Sequence, residues 1–159
     1  MMQYQIREAT IGDYDGLCRI LAEGDRFHQK ALPKVYRQPE GYVRTKEFIV
    51  ERLHRENSIW FVAEHEGQIV GSVDVSIRQA EDSPLLVPRR YAKVGTLLVA
   101  ERHRRRGIAT ALLGAAHRWA LDQGVDQVEL NAYEFNQGAI ALYEKLGYKT
   151  ARRTMWKDL

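Results

Sequence analysis

The chain predicts a mixed α/β fold, and three observations carry that expectation. Three strand-like runs follow one another between Ser58 and Ala100, the first two separated only by Glu66-Gly67, a tight-hairpin signal. Behind the third run, a basic turn with one glycine opens into residues whose apolar members recur at helical spacing. Amphipathic helical patterns also precede the first run and close the second half of the chain.

In order, Gln3–Arg7 is a short strand candidate, and Asp13 then caps a helix carrying Leu17, Ile20 and Leu21 on one face. Cys18 lies on that face and reads as core packing; as the only cysteine it can form no intrachain disulfide. Arg26 to Arg44 is the least regular part, because Pro33 and Pro39 break any long helix. Glu40 to Arg55 resumes a helical pattern through Val43, Phe48, Ile49 and Leu53. Ser58–Glu64 and Gln68–Ile77 are the hairpin strands, Gln79–Arg90 with Pro84 and Pro88 is a loop, and Tyr91–Ala100 is the next strand. Ala109, Leu112, Leu113, Ala116 and Ala120 give a helix with one buried face, ended by Gly124. Asp126–Tyr133 alternates: Val128, Leu130 and Ala132 point one way, Glu129, Asn131 and Tyr133 the other. A helix from Asn136 to Leu146 follows, then a last strand around Tyr148–Trp156.

Composition bounds the function. The 159 residues, without repeat or linker, are most economically one domain, 1–159. Charged residues make up 28% and apolar ones 45%, the ordinary globular range. The net charge of +3 is mild and draws much on Arg102, Arg104, Arg105 and Arg106, which favours a local anion site over a nucleic-acid footprint. No apolar run approaches the roughly 18–20 residues of a membrane span, and the N-terminus shows no secretory pattern. With the lone cysteine, this makes a cytoplasmic location the expectation.

The turn before the third helical pattern carries the chemistry. The first N–H groups of a helix have no intrahelical acceptor and sit at the positive end of its dipole. Arginines there, with Gly107 letting a ligand approach the backbone, make an anion-binding turn. It is neither a three-glycine dinucleotide fingerprint nor a Walker loop. It reads Arg-x-x-Gly-x-Ala from Arg104 to Ala109, and a basic turn capping an ordinary helix would look similar. Downstream, Asn136 to Tyr148 reads Asn-Gln-Gly-Ala-Ile-Ala-Leu-Tyr-Glu-Lys-Leu-Gly-Tyr. The two motifs together resemble the acyl-coenzyme A loop and the Asn-x-x-Ala-x-x-Leu-Tyr-x-x-x-Gly-Phe/Tyr signature of the GCN5-related N-acetyltransferases (the GNAT family), and the resemblance covers nearly the whole chain.

That resemblance implies a mostly antiparallel central sheet flanked by helices, whose fourth and fifth strands run parallel and splay apart. It implies acetyl-CoA as co-substrate, with pyrophosphate on the turn of Arg104, Arg105, Arg106, Gly107, Ile108, Ala109 and Thr110. The pantetheine arm would lie along Leu97, Leu98 and Val99, which read equally well as plain buried strand. Asn136 would contact the cofactor, and helix capping is compatible with that. Tyr143 matches the motif tyrosine that protonates the departing thiolate, a transfer suited to a hydroxyl of reference pKa near ~10. An alkylamine is only about a thousandth neutral at pH 7, so a base is needed. Where relatives carry a carboxylate twelve residues before the tyrosine, this chain has Asn131; Glu129, on the same strand face, is the substitute, with Glu134, His103 and Asp74 behind it. Phe27–Tyr36, Gln79–Arg90 and Tyr133–Phe135 should form the acceptor pocket. There Glu81, Asp82 and Glu134 would attract an amine, while Phe27, His28, Leu32 and Tyr36 line a lid or pack beneath it. The acceptor expected is an aminoglycoside-like or polyamine-like small molecule, or a protein amino group. No metal, nucleic acid or membrane is expected, and a homodimer is left open. A catalytically inactive acyl-CoA-binding regulatory module is the alternative, for which Asn131 argues and against which Tyr143 stands.

Overall fold

The computed structural model describes residues 3–159. Strand β1 (Gln5–Glu8) leads through a 3-10 turn at Ile11–Asp13 into α1 (Tyr14–Ala31), and α2 (Lys46–Leu53) precedes β2 (Ser58–His65). Then come β3 (Gln68–Gln79), β4 (Arg90–Val99), α3 (Ile108–Asp122), β5 (Val128–Glu129) and α4 (Gln137–Lys145). The sheet order is β1-β2-β3-β4-β5. Every pairing is antiparallel except β4 with β5, which is parallel, as a crossover through α3 permits. Glu66 and Gly67 both take positive φ, the requirement of the tight two-residue hairpin read from the sequence.

Strand alternation splits the core between the two sheet faces. On one face Leu17, Ile20 and Leu21 of α1 and Ile49 of α2 pack on Trp60, Val62 and Ile69. On the other, Ile108, Leu112, Leu113, Ala116 and Ala120 of α3 cover Ala63, Val73, Val75, Ala92 and Val94. At the first helix, Arg7 of β1 bonds both Asp13 oxygens, at 2.7 and 2.8 Å, and Glu64 of β2. Asp13 also accepts from Thr10 N–H at 2.8 Å, so three elements meet at one ionic knot.

Four boundaries differ from the sequence reading. Helix α1 continues through Phe27 and His28 and stops at Leu32, the residue before Pro33. Helix α2 begins six residues later than Glu40, where Thr45 Oγ1 accepts from Phe48 N–H; Val43, counted into the pattern, lies exposed before it. Strand β5 keeps only Val128–Glu129 of the alternating run, pairing with Ala92 and Lys93 alone. The last strand around Tyr148–Trp156 does not form. A strand needs a partner row of N–H and C=O groups, and two-residue β5 offers only a short one; Met155 and Trp156 stay exposed.

Candidate active site

Strand β4 carries a β-bulge. Val73 pairs with Leu97 but Val75 with Val94, so Asp74 alone stands opposite two residues, Gly95 and Thr96. Asp74 fills the place a side chain on Gly95 would need: a Cβ there would lie 2.3 Å from Asp74 Oδ2. Its carboxylate accepts from Arg52 at 2.5 Å, with Thr96 beside it. Burial pushes the Asp74 pKa up, while Arg52 and Thr96 pull the other way. Beyond the bulge β4 diverges from β5, because their pairing ends at Lys93. The outer edge of Leu97, Leu98 and Val99 therefore opens on a cleft, and these side chains are only half-buried.

The basic turn closes one end of the cleft. Arg105 takes a positive φ of 61° and Gly107 one of 80°, and Ile108 opens α3 directly behind them. Around Gly107 the protein leaves space; an added Cβ would meet only Tyr4 Oη, at 3.8 Å. Arg104 turns back, its Nε donating to the Val99 carbonyl at 3.1 Å while its guanidinium lies 5.8 Å from the Phe27 ring centre. The turn thus presents the first α3 amides (Ile108, Ala109 and Thr110) with Arg105 and Arg106 beside them. Asn136 is the N-cap of α4, its Oδ1 accepting from Ala139 N–H at 3.3 Å.

Tyr143 projects from α4 against the α3 core and packs edge-on to Tyr148. Burial pushes its hydroxyl pKa up, so it holds its proton at neutral pH. Tyr148 is pushed up to about 12 and its hydroxyl is hydrogen-bonded to His117 Nε2 at 2.6 Å, while burial pulls His117 down.

On the opposite side of the sheet, Lys93 donates to Asn131 Oδ1 at 3.0 Å and lies 4.0 Å from Glu129 Oε2. Glu129 and Asn131 therefore share a face, as alternation predicts, and Arg89 holds Glu129 Oε1 at 2.7 Å. Phe27, His28, Tyr36, Tyr133 and Phe135 meet as one aromatic cluster, with Tyr36 Oη donating to Tyr133 Oη at 2.9 Å. Burial pushes Tyr36 up to about 12. His103 packs instead against His65 at the end of β2, and Glu81, Asp82 and Glu134 are exposed.

Sequence reasoning missed a cavity of about 150 Å3 beside the bulge, walled by Arg52, Trp60, Lys93, Gly95 and Thr96 with Asp74 at its floor. Its signal was in β3, where Ser72, Asp74, Ser76 and Arg78 alternate with apolar residues and face away from α3. Among the described residues, no helix is long and apolar enough to cross a membrane, and no three His, Cys, Asp or Glu converge as a metal site.

Comparisons with known proteins agree with this geometry. Residues 22–148 match the model of the acetyltransferase (GNAT) family. The chain is 31% identical over 155 residues to an N-alpha-acetyltransferase from Sulfurisphaera tokodaii, covering 94% of this chain and 83% of that one. It is 36% identical over 105 residues to human N-acetyltransferase 8, covering 66% of this chain and 43% of that protein. Among solved structures, a mutant of the BH1408 protein from Bacillus halodurans superposes with a TM-score of 0.92, at 27% identity over 98% of this chain and 99% of that one.

Proposed function

The chain belongs to the acetyltransferase (GNAT) family and is an acetyl-CoA-dependent N-acetyltransferase, and from that premise we propose that its acceptor is the α-amino group of a protein or peptide. The likeness to an N-alpha-acetyltransferase over 94% of the chain carries this reading. The surroundings of the bulge support it, because Arg52, Arg55, Arg78 and Lys93 line the cavity there and would repel a polycation such as a polyamine or aminoglycoside.

The residues present fit an acyl-CoA. The free edge of Leu97–Val99 offers backbone groups to an extended arm, as an added strand would use them. The Arg104–Thr110 turn offers amides and arginines to a pyrophosphate, and Gly107 leaves room for close approach. Bound acetyl-CoA supplies an acyl group already activated as a thioester. The bulge turns backbone amides out of the ladder, and these are the donors for charge developing on the acyl oxygen. Glu129 takes the amine proton through Oε2, the oxygen that Arg89 leaves without a hydrogen bond. Tyr143 then gives its proton to the leaving sulfur and recovers one from solvent.

Thiol release from acetyl-CoA tests the acceptor class against N-terminally free peptides, a polyamine and an aminoglycoside at equal concentration. Peptides should be turned over and the polycations should not; the reverse order would overturn the proposed acceptor.

A further inference from the structure

The cavity beside the bulge has a charge imbalance that an acceptor amine does not explain. Asp74 is the one acid in its lining, and Arg52 and Thr96 already engage it. Three further cations remain. Arg78 has no ion-pair partner among the described residues, and Arg55 has only a loose contact with Glu51 at 3.7 Å. Lys93 is held to Asn131, with Glu129 4.0 Å away. Trp60, 6% exposed, forms part of the wall, and its buried indole Nε1 meets no acceptor among the described residues. The recess is therefore rich in donors and positive charge and short of acceptors.

Size and position narrow what would complete it. A cavity of about 150 Å3 is large enough for a benzene ring, hence for a carboxymethyl or phosphate group. Gly95 and Thr96 belong to the same wall, so the recess opens on the backbone that faces the transfer. Lys93 lies two residues back along β4, roughly 7 Å at the usual strand rise. Arg78 stands further along, on β3 opposite Tyr91. Arginine forks suit carboxylate and phosphate oxygens alike.

We propose that this cavity binds an oxyanion carried by the acceptor itself, a carboxylate or phosphate held roughly 7–10 Å from the amine that is acetylated. The proposal rests on the N-acetyltransferase reading for the amine and adds what must stand beside it. An acidic side chain next to a peptide amino terminus has the right reach, and so does the phosphate of a small aminoalkyl ester. Selection comes from both signs of interaction: an anion fills the recess, while a neutral partner leaves its positive charge uncompensated.

The test compares kcat/KM for peptides beginning Ser-Glu, Ser-Gln and Ser-Lys, and for an aminoalkyl phosphate against the aminoalkyl alcohol of equal length. Ser-Glu should exceed Ser-Gln by about tenfold, with Ser-Lys lower still. Arg78→Gln and Arg55→Gln, at side chains open to solvent, should erode that preference, lowering the Ser-Glu rate more than the Ser-Gln rate. In the unmodified protein the preference should also shrink as salt is raised. Turnover of the aminoalkyl phosphate over its alcohol without peptide turnover would uphold the oxyanion site and overturn the peptide acceptor. Equal rates within both pairs would overturn the site and leave the transferase reading intact. A preference indifferent to salt and to both arginine variants would also overturn it.

Discussion

Gly95 occupies a position on β4 where a side chain has no room, because the Asp74 carboxylate crosses the place of its Cβ at 2.3 Å. Asp74 cannot easily withdraw, being held by Arg52 and Thr96. Gly95→Ala should therefore cost about 1–3 kcal/mol in urea unfolding, the range for forced overpacking. An unchanged midpoint would mean that the carboxylate swings clear. The proton-transfer roles proposed for Tyr143 and Glu129 each have their own signature. Tyr143→Phe should lower turnover by ~10²–10⁴-fold, when chemistry limits the rate, with little change in acetyl-CoA affinity. Glu129→Gln should lower the rate and abolish the acidic limb of its pH profile; a profile that keeps height and shape would move the proton to solvent. His117 supplies a stability prediction. Burial lowers its pKa below the ordinary 6.5, so the unfolded chain binds the proton more readily than the folded one. Stability is then complete above that value and falls as pH drops below it. The urea midpoint should be higher near about pH 7.5 than near about pH 5.5, and His117→Gln should narrow the gap. A gap equally wide in the variant would assign it to other groups.

Among the elements, α3 offers a comparison between its two ends. Gly107 before it and Gly124 after it both hold positive φ, 80° and 72°, and neither would meet a protein atom closer than 3.8 Å on gaining a Cβ. Gly107→Val and Gly124→Val should thus share the backbone strain of a left-handed β-branched residue, about 1–2 kcal/mol. Only Gly107→Val should weaken acetyl-CoA binding, by about tenfold or more, equivalent to roughly 1.4 kcal/mol, since only that turn is proposed to hold the pyrophosphate. Equal affinities for the two variants would detach the turn from the cofactor. The contrast also marks what local sequence can express. Both glycines, the Asn136 cap, the Glu66-Gly67 hairpin and the buried face of α3 obey rules that span a few residues, and each was legible. The fate of Tyr148–Trp156 depended on an edge that β5 fails to provide, which no window around those residues records. The same holds for the bulge cavity. Arg52 comes from α2, Trp60 from β2, Asp74 from β3 and Lys93 from β4, and only the fold brings them together. Glu129 was legible as to face but not as to partner, since Arg89 reaches it from a loop forty residues earlier.

Over the whole molecule, two clusters of positive charge stand apart, each with its own proposed ligand. One cluster, Arg104 to Arg106, stands at the mouth of the cleft before α3, and the other lines the recess between α2 and the sheet. Between them runs the far half of β4, whose outer row of N–H and C=O groups has no strand beside it, with Arg104 covering the Val99 carbonyl alone. A sheet margin of this kind invites pairing with any extended chain, including a second copy of the same protein. On the cofactor placement proposed above, the pantetheine arm would double as a stopper. With the arm against Leu97–Val99 no foreign strand could dock there, and each exchange of spent coenzyme A for fresh acetyl-CoA would leave the margin briefly bare. Light scattering during heating should show the ligand-free protein clumping sooner than protein saturated with either coenzyme A or acetyl-CoA. Adenosine 3′,5′-bisphosphate, which lacks the arm, should protect less than its contribution to binding alone would give. Equal protection by the armless nucleotide at matched occupancy would place the weak seam elsewhere on the surface. On that placement such an enzyme would be safest when busy, its shelf life set by the same open border that lets its co-substrate in.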